Sequence, residues 1–93
     1  MNLQQVFTEK LCPVCGCQLD FMPWDGVHQS DEICPCCGIQ FGYNDVPPDR
    51  SEALYAEWRQ RWIDSGKNWW SKSDEPDQFD PVAQLGRLQR FMQ

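Results

Sequence analysis

Leu11-Cys12-Pro13-Val14-Cys15-Gly16-Cys17-Gln18-Leu19-Asp20-Phe21 and Ile33-Cys34-Pro35-Cys36-Cys37-Gly38-Ile39-Gln40-Phe41-Gly42-Tyr43 are two versions of one phrase. At a fixed offset, Cys12, Pro13, Cys15, Gly16 and Gln18 return as Cys34, Pro35, Cys37, Gly38 and Gln40. Apolar positions return too: Leu11 as Ile33, Leu19 as Phe41, Phe21 as Tyr43. Each copy is a Cys-Pro-x-Cys-Gly knuckle followed by alternating residues of strand type.

The knuckle has a geometric purpose. Two thiolates must converge on one ion at about 2.3 Å each. Two intervening residues make a tight turn that puts both sulfurs on one side. Proline presets the backbone where the turn begins. Glycine after the second cysteine adopts the positive φ that folds the backbone back. Two knuckles supply four thiolates, a full tetrahedral shell. Between Cys15 and Cys34 lie 18 residues, inside the gap of about 15–20 that marks paired zinc knuckles. The sequence therefore predicts one zinc ion held by Cys12, Cys15, Cys34 and Cys37. Iron accepts the same four ligands and stays open at this point.

Other uses of cysteine fit less well. Six cysteines in a small secreted chain would suggest disulfides, but Met1 to Glu9 has neither the basic start nor the apolar run of a secretory signal. A thioredoxin-like pair needs a βαβ setting, whereas these knuckles sit between short strand-like segments. A reducing cytoplasm is the expected compartment. The net charge is −6, and a four-thiolate zinc site would make it more negative by about 2. Residues 1–48 carry Lys10 alone against Glu9, Asp20, Asp25, Asp31, Glu32 and Asp45. Phosphate contacts need lysine and arginine, so no nucleic-acid partner is expected of this half. No segment is long and apolar enough to cross a membrane.

Along the chain, residues 1–10 read as a polar lead-in with Leu3, Val6 and Phe7 available for packing. Cys17, Leu19 and Phe21 alternate with Gln18 and Asp20, which predicts a strand from Cys17 to Met22. Pro23-Trp24-Asp25-Gly26 reads as a turn. A second strand leads through Asp31, Glu32 and Ile33 into the second knuckle. Ile39, Phe41 and Tyr43 then alternate with Gln40, Gly42 and Asn44. Pro47-Pro48 is a stiff boundary. Beyond it the period changes. Asp49 and Glu52 have capping-box spacing, and Leu54, Trp58 and Trp62, extended by Tyr55, form one helix face. Gly66 stops that helix. Lys67 to Asp77 reads as a loop. A second helix starts at Asp80-Pro81, with Val82, Leu85, Leu88 or Gln89, and Met92 on its inner side. The expected fold class is α+β: a small zinc-ribbon-like module of short antiparallel strands over residues 11–46. A Trp-rich extension of two helices, residues 47–93, packs on it to make one compact domain.

Cys34-Pro35-Cys36-Cys37-Gly38, the upstream knuckle, and the words Glu32-Ile33-Cys34-Pro35 and Trp24-Asp25 resemble the small bacterial cysteine-rich CPCC family. The tail words Glu57-Trp58-Arg59, Arg61-Trp62 and Lys67-Asn68-Trp69-Trp70 are similar to tails in that group. The likeness spans roughly residues 11–90. The resemblance implies a zinc-ribbon-like module, bacterial and cytoplasmic, with an immunity or regulatory partnership. Cys17 departs from the family pattern.

The remaining residues sort by chemistry. Cys17 shares a strand face with Leu19 and Phe21 and is expected in the core, since free cysteine packs as a small hydrophobe. Cys36 is expected to point outward from its turn. A swap-ligand or redox role would need exposure and a lowered pKa. His28 is the only histidine and is not needed in a shell of four cysteines. Asp25, Asp31 and Glu32 read as a solvated acidic rim rather than an acid–base set. Trp58 and Trp62 are expected to join the first long helix to the metal module. Of Trp69 and Trp70, one is expected inside and the other at a partner surface, with Arg59 and Arg61 nearby, because aromatics and arginine dominate binding hot spots. The expected function is a non-enzymatic protein-interaction module. Its closed shell leaves no position for a reactive water. A partner protein or a second copy would cover the surplus aromatics. The alternatives are a metal- or redox-responsive regulator using Cys17 and Cys36 and, further off, nucleic-acid binding by the helical half.

Overall fold

The computed structural model describes residues 1–91. It is an α+β arrangement with one two-stranded antiparallel sheet. In order come helix α1 (Leu3–Thr8), strands β1 (Trp24–Asp25) and β2 (His28–Gln29), a 3-10 turn (Pro48–Arg50), helix α2 (Ser51–Asp64), a second 3-10 turn (Lys72–Asp74) and helix α3 (Pro81–Gln89). The two knuckles lie between these elements and are the centre of the molecule. Their cysteines form one buried cluster with Phe7, Leu19, Trp24, Phe41, Tyr55, Trp62 and Trp69. A smaller cluster of Val6, Leu11, Leu88 and Phe91 ties the first helix to the last.

Residues 1–10 are more than a lead-in. Asn2 caps α1 by accepting from the Gln5 amide at 3.2 Å, the ordinary role of asparagine at a helix start. Val6 and Phe7 are buried. The Asn2 amide donates to the Phe91 carbonyl at 2.9 Å, so both ends of the described chain meet.

The expected strands after each knuckle do not form. Leu11 pairs with Gln18, and Ile33 with Gln40, as isolated bridges only. The alternation still reports burial: Cys17 and Leu19 are buried while Gln18 and Asp20 are exposed. What is missing is a neighbouring strand to extend the ladder. After the second knuckle, side chains capture the backbone instead. Asn44 Oδ1 accepts from the Gln40 amide at 2.8 Å, and Asp45 Oδ1 accepts from the Gly42 amide at 2.7 Å. Such local bonds compete directly with a strand. Gly42 has φ +90, and Tyr43 swings out to 73% exposure instead of continuing the Phe41 face. The Asp25-Gly26 turn signal is real, but the turn spans residues 25–28, two residues later than read. Trp24 pairs with Gln29 and Asp25 with His28, and Gly26 at φ +62 opens the two-residue loop between them, as hairpin geometry demands.

Asp49 does not cap α2. The segment Pro48–Arg50 is a 3-10 turn, and the helix starts at Ser51 without a side-chain cap. Ser51 Oγ donates instead to the Asp45 carbonyl at 2.6 Å. The buried face of α2 is Ser51, Tyr55 and Trp62, with Leu54 and Trp58 half-buried at its flank. Helix α3 begins as read: Asp80 Oδ1 accepts from the Ala83 amide at 3.1 Å, with Pro81 in the first turn. Its inner side differs. Gln84 and Leu88 are buried, Leu85 is half-buried, and Val82 is 65% exposed. The reason is that Gln84 has polar partners waiting at the knuckles, described below. Met92 lies outside the described residues.

Candidate metal centre

The four sulfurs expected to bind metal meet at one point. The Sγ atoms of Cys12, Cys15, Cys34 and Cys37 lie within 4.8 Å of one another, and all four residues are buried. Cys12 Sγ is 3.7 Å from Cys37 Sγ, and Cys15 Sγ is 3.7 Å from Cys34 Sγ. A tetrahedron with metal–sulfur bonds of about 2.3 Å has sulfur–sulfur edges of about 3.8 Å. The donor set therefore fits a tetrahedral thiophilic ion. None of the six cysteines is in a disulfide.

Identical backbone bonds build the two halves. The Gly16 amide donates to the Cys12 carbonyl and the Gly38 amide to the Cys34 carbonyl, each at 2.9 Å. The Cys12 amide donates to the Cys17 carbonyl, and the Cys34 amide to the Ile39 carbonyl, again at 2.9 Å. The recurring glutamines, which alternation would place on a solvated strand face, have a specific task. Gln18 Nε2 donates to the Glu9 carbonyl at 3.0 Å, and Gln40 Nε2 donates to the Asp31 carbonyl at 3.2 Å. Each glutamine ties the exit of its knuckle to the entry.

Both knuckle glycines are positions where nothing larger fits. Gly16 has φ +80, and a Cβ there would stand 2.1 Å from the Gln84 carbonyl oxygen on α3. Gly38 has φ +82, and a Cβ there would stand 2.8 Å from the Trp70 ring. Gly16→Ala is expected to lose roughly 2–3 kcal/mol by pushing α3 off the first knuckle. That corresponds to a melting point lower by about 10–20 °C. Gly26→Ala is the control: φ is +62 but nothing lies within 4 Å, so only the backbone cost of about 1–2 kcal/mol applies. Equal melting points for the two variants would refute the contact argument.

Side chains from both long helices hold the knuckles from outside. Arg59 Nε donates to the Val14 carbonyl at 2.8 Å, and Arg59 Nη2 to the Pro13 carbonyl at 2.6 Å. Trp58 Nε1 donates to the Cys37 carbonyl at 3.0 Å. Gln84 Nε2 reaches the Cys15 carbonyl at 3.1 Å and Cys36 Sγ at 3.2 Å. Arg87 Nη1 donates to the Gly16 carbonyl at 3.2 Å. Burial lowers the Arg59 pKa from its ordinary value, and negative charge on Cys12, Cys15 and Cys37 opposes that shift. Arg59 is therefore built into the wall of the centre. Arg59→Ala is expected to cost about 1.5–3 kcal/mol, read as a lower denaturation midpoint with unchanged slope. A change below about 0.5 kcal/mol, the usual size for a plain surface site, would show that these bonds hold nothing.

The other sequence-marked residues fall into place around this. Arg61 lies over the Trp58 ring at 4.7 Å, in cation–π range. Trp69 is buried and meets Phe79 edge-on at 5.2 Å; its indole N–H has no hydrogen-bond partner. Trp70 is 57% exposed, while its amide donates to the Cys36 carbonyl at 2.8 Å. Arg61, Trp70, Trp58 and Lys72 share one open groove. His28, Asp25, Asp31 and Glu32 are exposed and outside the sulfur cluster. Cys17 is buried, 4% exposed. Cys36 does not point outward: it is fully buried, because α3 presents the Gln84 amide to its sulfur.

Without metal, the buried thiols share their protons unevenly. Burial raises Cys12, Cys15 and Cys37 above the ordinary thiol range. Burial acts the same way on Cys34, but the neighbouring thiols of Cys12, Cys15, Cys17 and Cys37 outweigh it and pull that thiol well below. A metal ion must displace the protons that remain, so its apparent affinity falls with acid. A chelator competition is expected to show at least about a tenfold loss of affinity per pH unit on acidification through neutrality. An affinity independent of pH would mean the thiols are not the ligands.

Set beside family models, curated proteins and solved structures, the chain matches none of them. The site itself carries the functional argument. No described helix is long and apolar enough to cross a membrane.

Proposed function

We propose that the four-cysteine centre holds a structural zinc ion and that the folded unit is a non-enzymatic protein-interaction module. The observation that carries the zinc reading is the sulfur tetrad, with two opposite edges of 3.7 Å. Zinc takes four thiolates in closed structural sites. A zinc-ribbon-like module of the CPCC kind, working in a reducing compartment, is consistent with paired knuckles and six unpaired cysteines. With every coordination position taken by sulfur, the metal's contribution is to join two knuckles rather than to activate a substrate.

The interaction reading rests on what the fold leaves outside. Trp70 is exposed and Trp58 half-buried beside the Arg61 guanidinium, and Trp62, Asn68 and Lys72 complete their groove. Aromatic and arginine side chains set together on a surface are the usual anchors of a protein interface. Arg61→Glu combined with Trp70→Ala removes this patch and leaves the knuckle contacts of Arg59 and Trp58 intact. Affinity capture from the native cell is expected to recover a partner with the wild type. The double variant, matched in metal content, is expected to lose at least about ten-fold of that recovery, the scale of one hot-spot loss. Equal recovery by both proteins would rule this groove out as the interface.

A further inference from the structure

We infer that the groove shared by Trp58 and Trp70 takes an acidic segment of a partner protein. The segment's carboxylates settle on Arg61 and Lys72, and an apolar side chain beside them packs on the two tryptophans. The inference rests on that groove being the interface and names the chemistry of what docks there.

The charge of the groove runs against that of the chain. The protein has 14 acidic side chains against 8 basic ones, yet the groove is lined by Arg61 and Lys72 and by no aspartate or glutamate. Both cations are exposed. Among the described residues Arg61 is in no ion pair. Of the acids one helical turn away, Glu57 and Asp64, neither pairs with it, and Asp64 accepts instead from Gln60 Nε2 at 2.9 Å. Lys72 meets Glu75 at 3.7 Å, but both side chains stand in solvent, 72% and 43% exposed. Such a pair contributes little, so a partner carboxylate can displace it. Charge complementarity of this local kind selects a partner and fixes its register.

The groove is also held ready. Arg61 lies over the Trp58 ring at 4.7 Å, a contact that keeps the guanidinium at the groove wall without using its N–H groups. Those groups can then take a carboxylate in bidentate fashion. Both walls are tied to the second knuckle. Trp58 Nε1 donates to the Cys37 carbonyl at 3.0 Å. The Trp70 and Ser71 amides donate to the Cys36 and Pro35 carbonyls, each at 2.8 Å. Trp62 Nε1 donates to the Asn68 carbonyl at 2.8 Å and joins one wall to the other. A groove fixed in this way needs little ordering when a peptide enters. Nucleic acid is anionic too and stacks on tryptophan. It fits less well here, because a phosphate backbone runs on past two cations over a chain of net charge −6. A peptide can confine its carboxylates to the groove.

Peptide selection reads the charge preference directly. A displayed library of random peptides is panned on the full-length, zinc-loaded protein, and the tightest peptide is then measured by fluorescence anisotropy. The expected result is enrichment of aspartate and glutamate beside an aromatic or long aliphatic residue, with an affinity that falls as salt is added. Arg61→Gln is expected to lose at least about ten-fold in affinity, the scale of a hot-spot residue, and Lys72→Gln a smaller factor. Arg61→Lys keeps the charge and is expected to bind better than Arg61→Gln. Should Arg61→Gln fail to fold, the composition of the selected peptides and Lys72→Gln decide. Enriched peptides that are neutral or basic, no enrichment at all, or binding indifferent to both substitutions overturns the inference. A labelled oligothymidine bound more tightly than the selected peptide overturns it as well. In each of these cases, partner recovery that the Arg61→Glu, Trp70→Ala variant still loses keeps the groove as the interface, whereas equal recovery removes the interface itself.

Discussion

Chelating the metal from the wild-type chain is expected to unfold it rather than to loosen it. The four clustered cysteines are between 0% and 6% exposed and lie inside the main core, together with Phe41, Tyr55, Trp62 and Trp69. Structural zinc in small domains is worth about 10–16 kcal/mol at neutral pH. A whole domain is stable by about 5–15 kcal/mol. Removing the ion therefore takes away as much as or more than the net stability. Four buried thiols are left with no cation to hold them. Arg59, Trp58, Gln84 and Arg87 all anchor the helices to knuckle carbonyls, so the helices undock with the knuckles. Cys34→Ser is expected to behave the same way. Far-ultraviolet circular dichroism and tryptophan emission should both move to unfolded values, and added zinc should reverse the chelated sample. A Cys34→Ser protein with the wild-type fold and no bound metal would contradict a structural role.

Substitution of Asp45 is the second change with a large expected effect. The residue is fully buried and joins three parts of the chain. Asp45 Oδ2 accepts from Trp24 Nε1 at 2.9 Å and from the Tyr55 hydroxyl at 2.6 Å. Asp45 Oδ1 accepts from the Gly42 amide at 2.7 Å. Asp45→Ala leaves the Trp24 and Tyr55 donors in the interior with no acceptor, at about 1–3 kcal/mol each, and frees the half-buried Gly42 amide as well. Because the donors share one partner their costs do not simply add, and a total loss of roughly 3–5 kcal/mol is expected. Asp45→Asn keeps one oxygen acceptor and is expected to recover part of the loss. Urea denaturation followed by tryptophan fluorescence measures both variants. A loss under about 1 kcal/mol in Asp45→Ala, no more than an average point mutation, would show the network to be incidental. The same network has a pH signature. Burial and then the Asp45 hydrogen bond raise the Tyr55 pKa above its ordinary value. A folded-state pKa that is raised means the contribution is present below the unfolded value of about 10 and is lost as pH rises above it. Wild-type stability is expected to decline above about pH 10, whereas a Tyr55→Phe variant should show a flatter alkaline limb.

The four-cysteine cluster was legible in the sequence because its geometry is local. Two cysteines, a proline and a glycine within five residues define a knuckle without help from the rest of the fold, and a repeat of that phrase supplies the other two sulfurs. The cap of α3 was legible for the same reason, since Asp80, Pro81 and the Ala83 amide lie within one turn. The strands were not. Alternation at Cys17, Leu19 and Phe21 reports which side is buried, but a strand also needs a partner, and pairing is a property of the whole chain. After the second knuckle, Asn44 and Asp45 spend their side chains on the backbone amides of Gln40 and Gly42 and close a turn where period-two residues suggested extension. Cys36 was misplaced because its environment is made by α3, which enters 48 residues later through Gln84. Asp45 gave no signal of its own: an acidic residue before Val46-Pro47-Pro48 looks like loop chemistry, and its partners Trp24 and Tyr55 are distant in sequence. The repeated Gln18 and Gln40 did carry a signal. A polar residue that returns at a fixed offset inside a metal-binding phrase marks a structural bond, here to the Glu9 and Asp31 carbonyls.

X-ray absorption at the zinc edge of purified, folded protein puts the account to its most direct trial. The predicted result is stoichiometric zinc with a first shell of four sulfur atoms at about 2.3 Å and no nitrogen or oxygen neighbour. Protein that is folded without metal, or zinc bound through a shell containing light atoms, would contradict it.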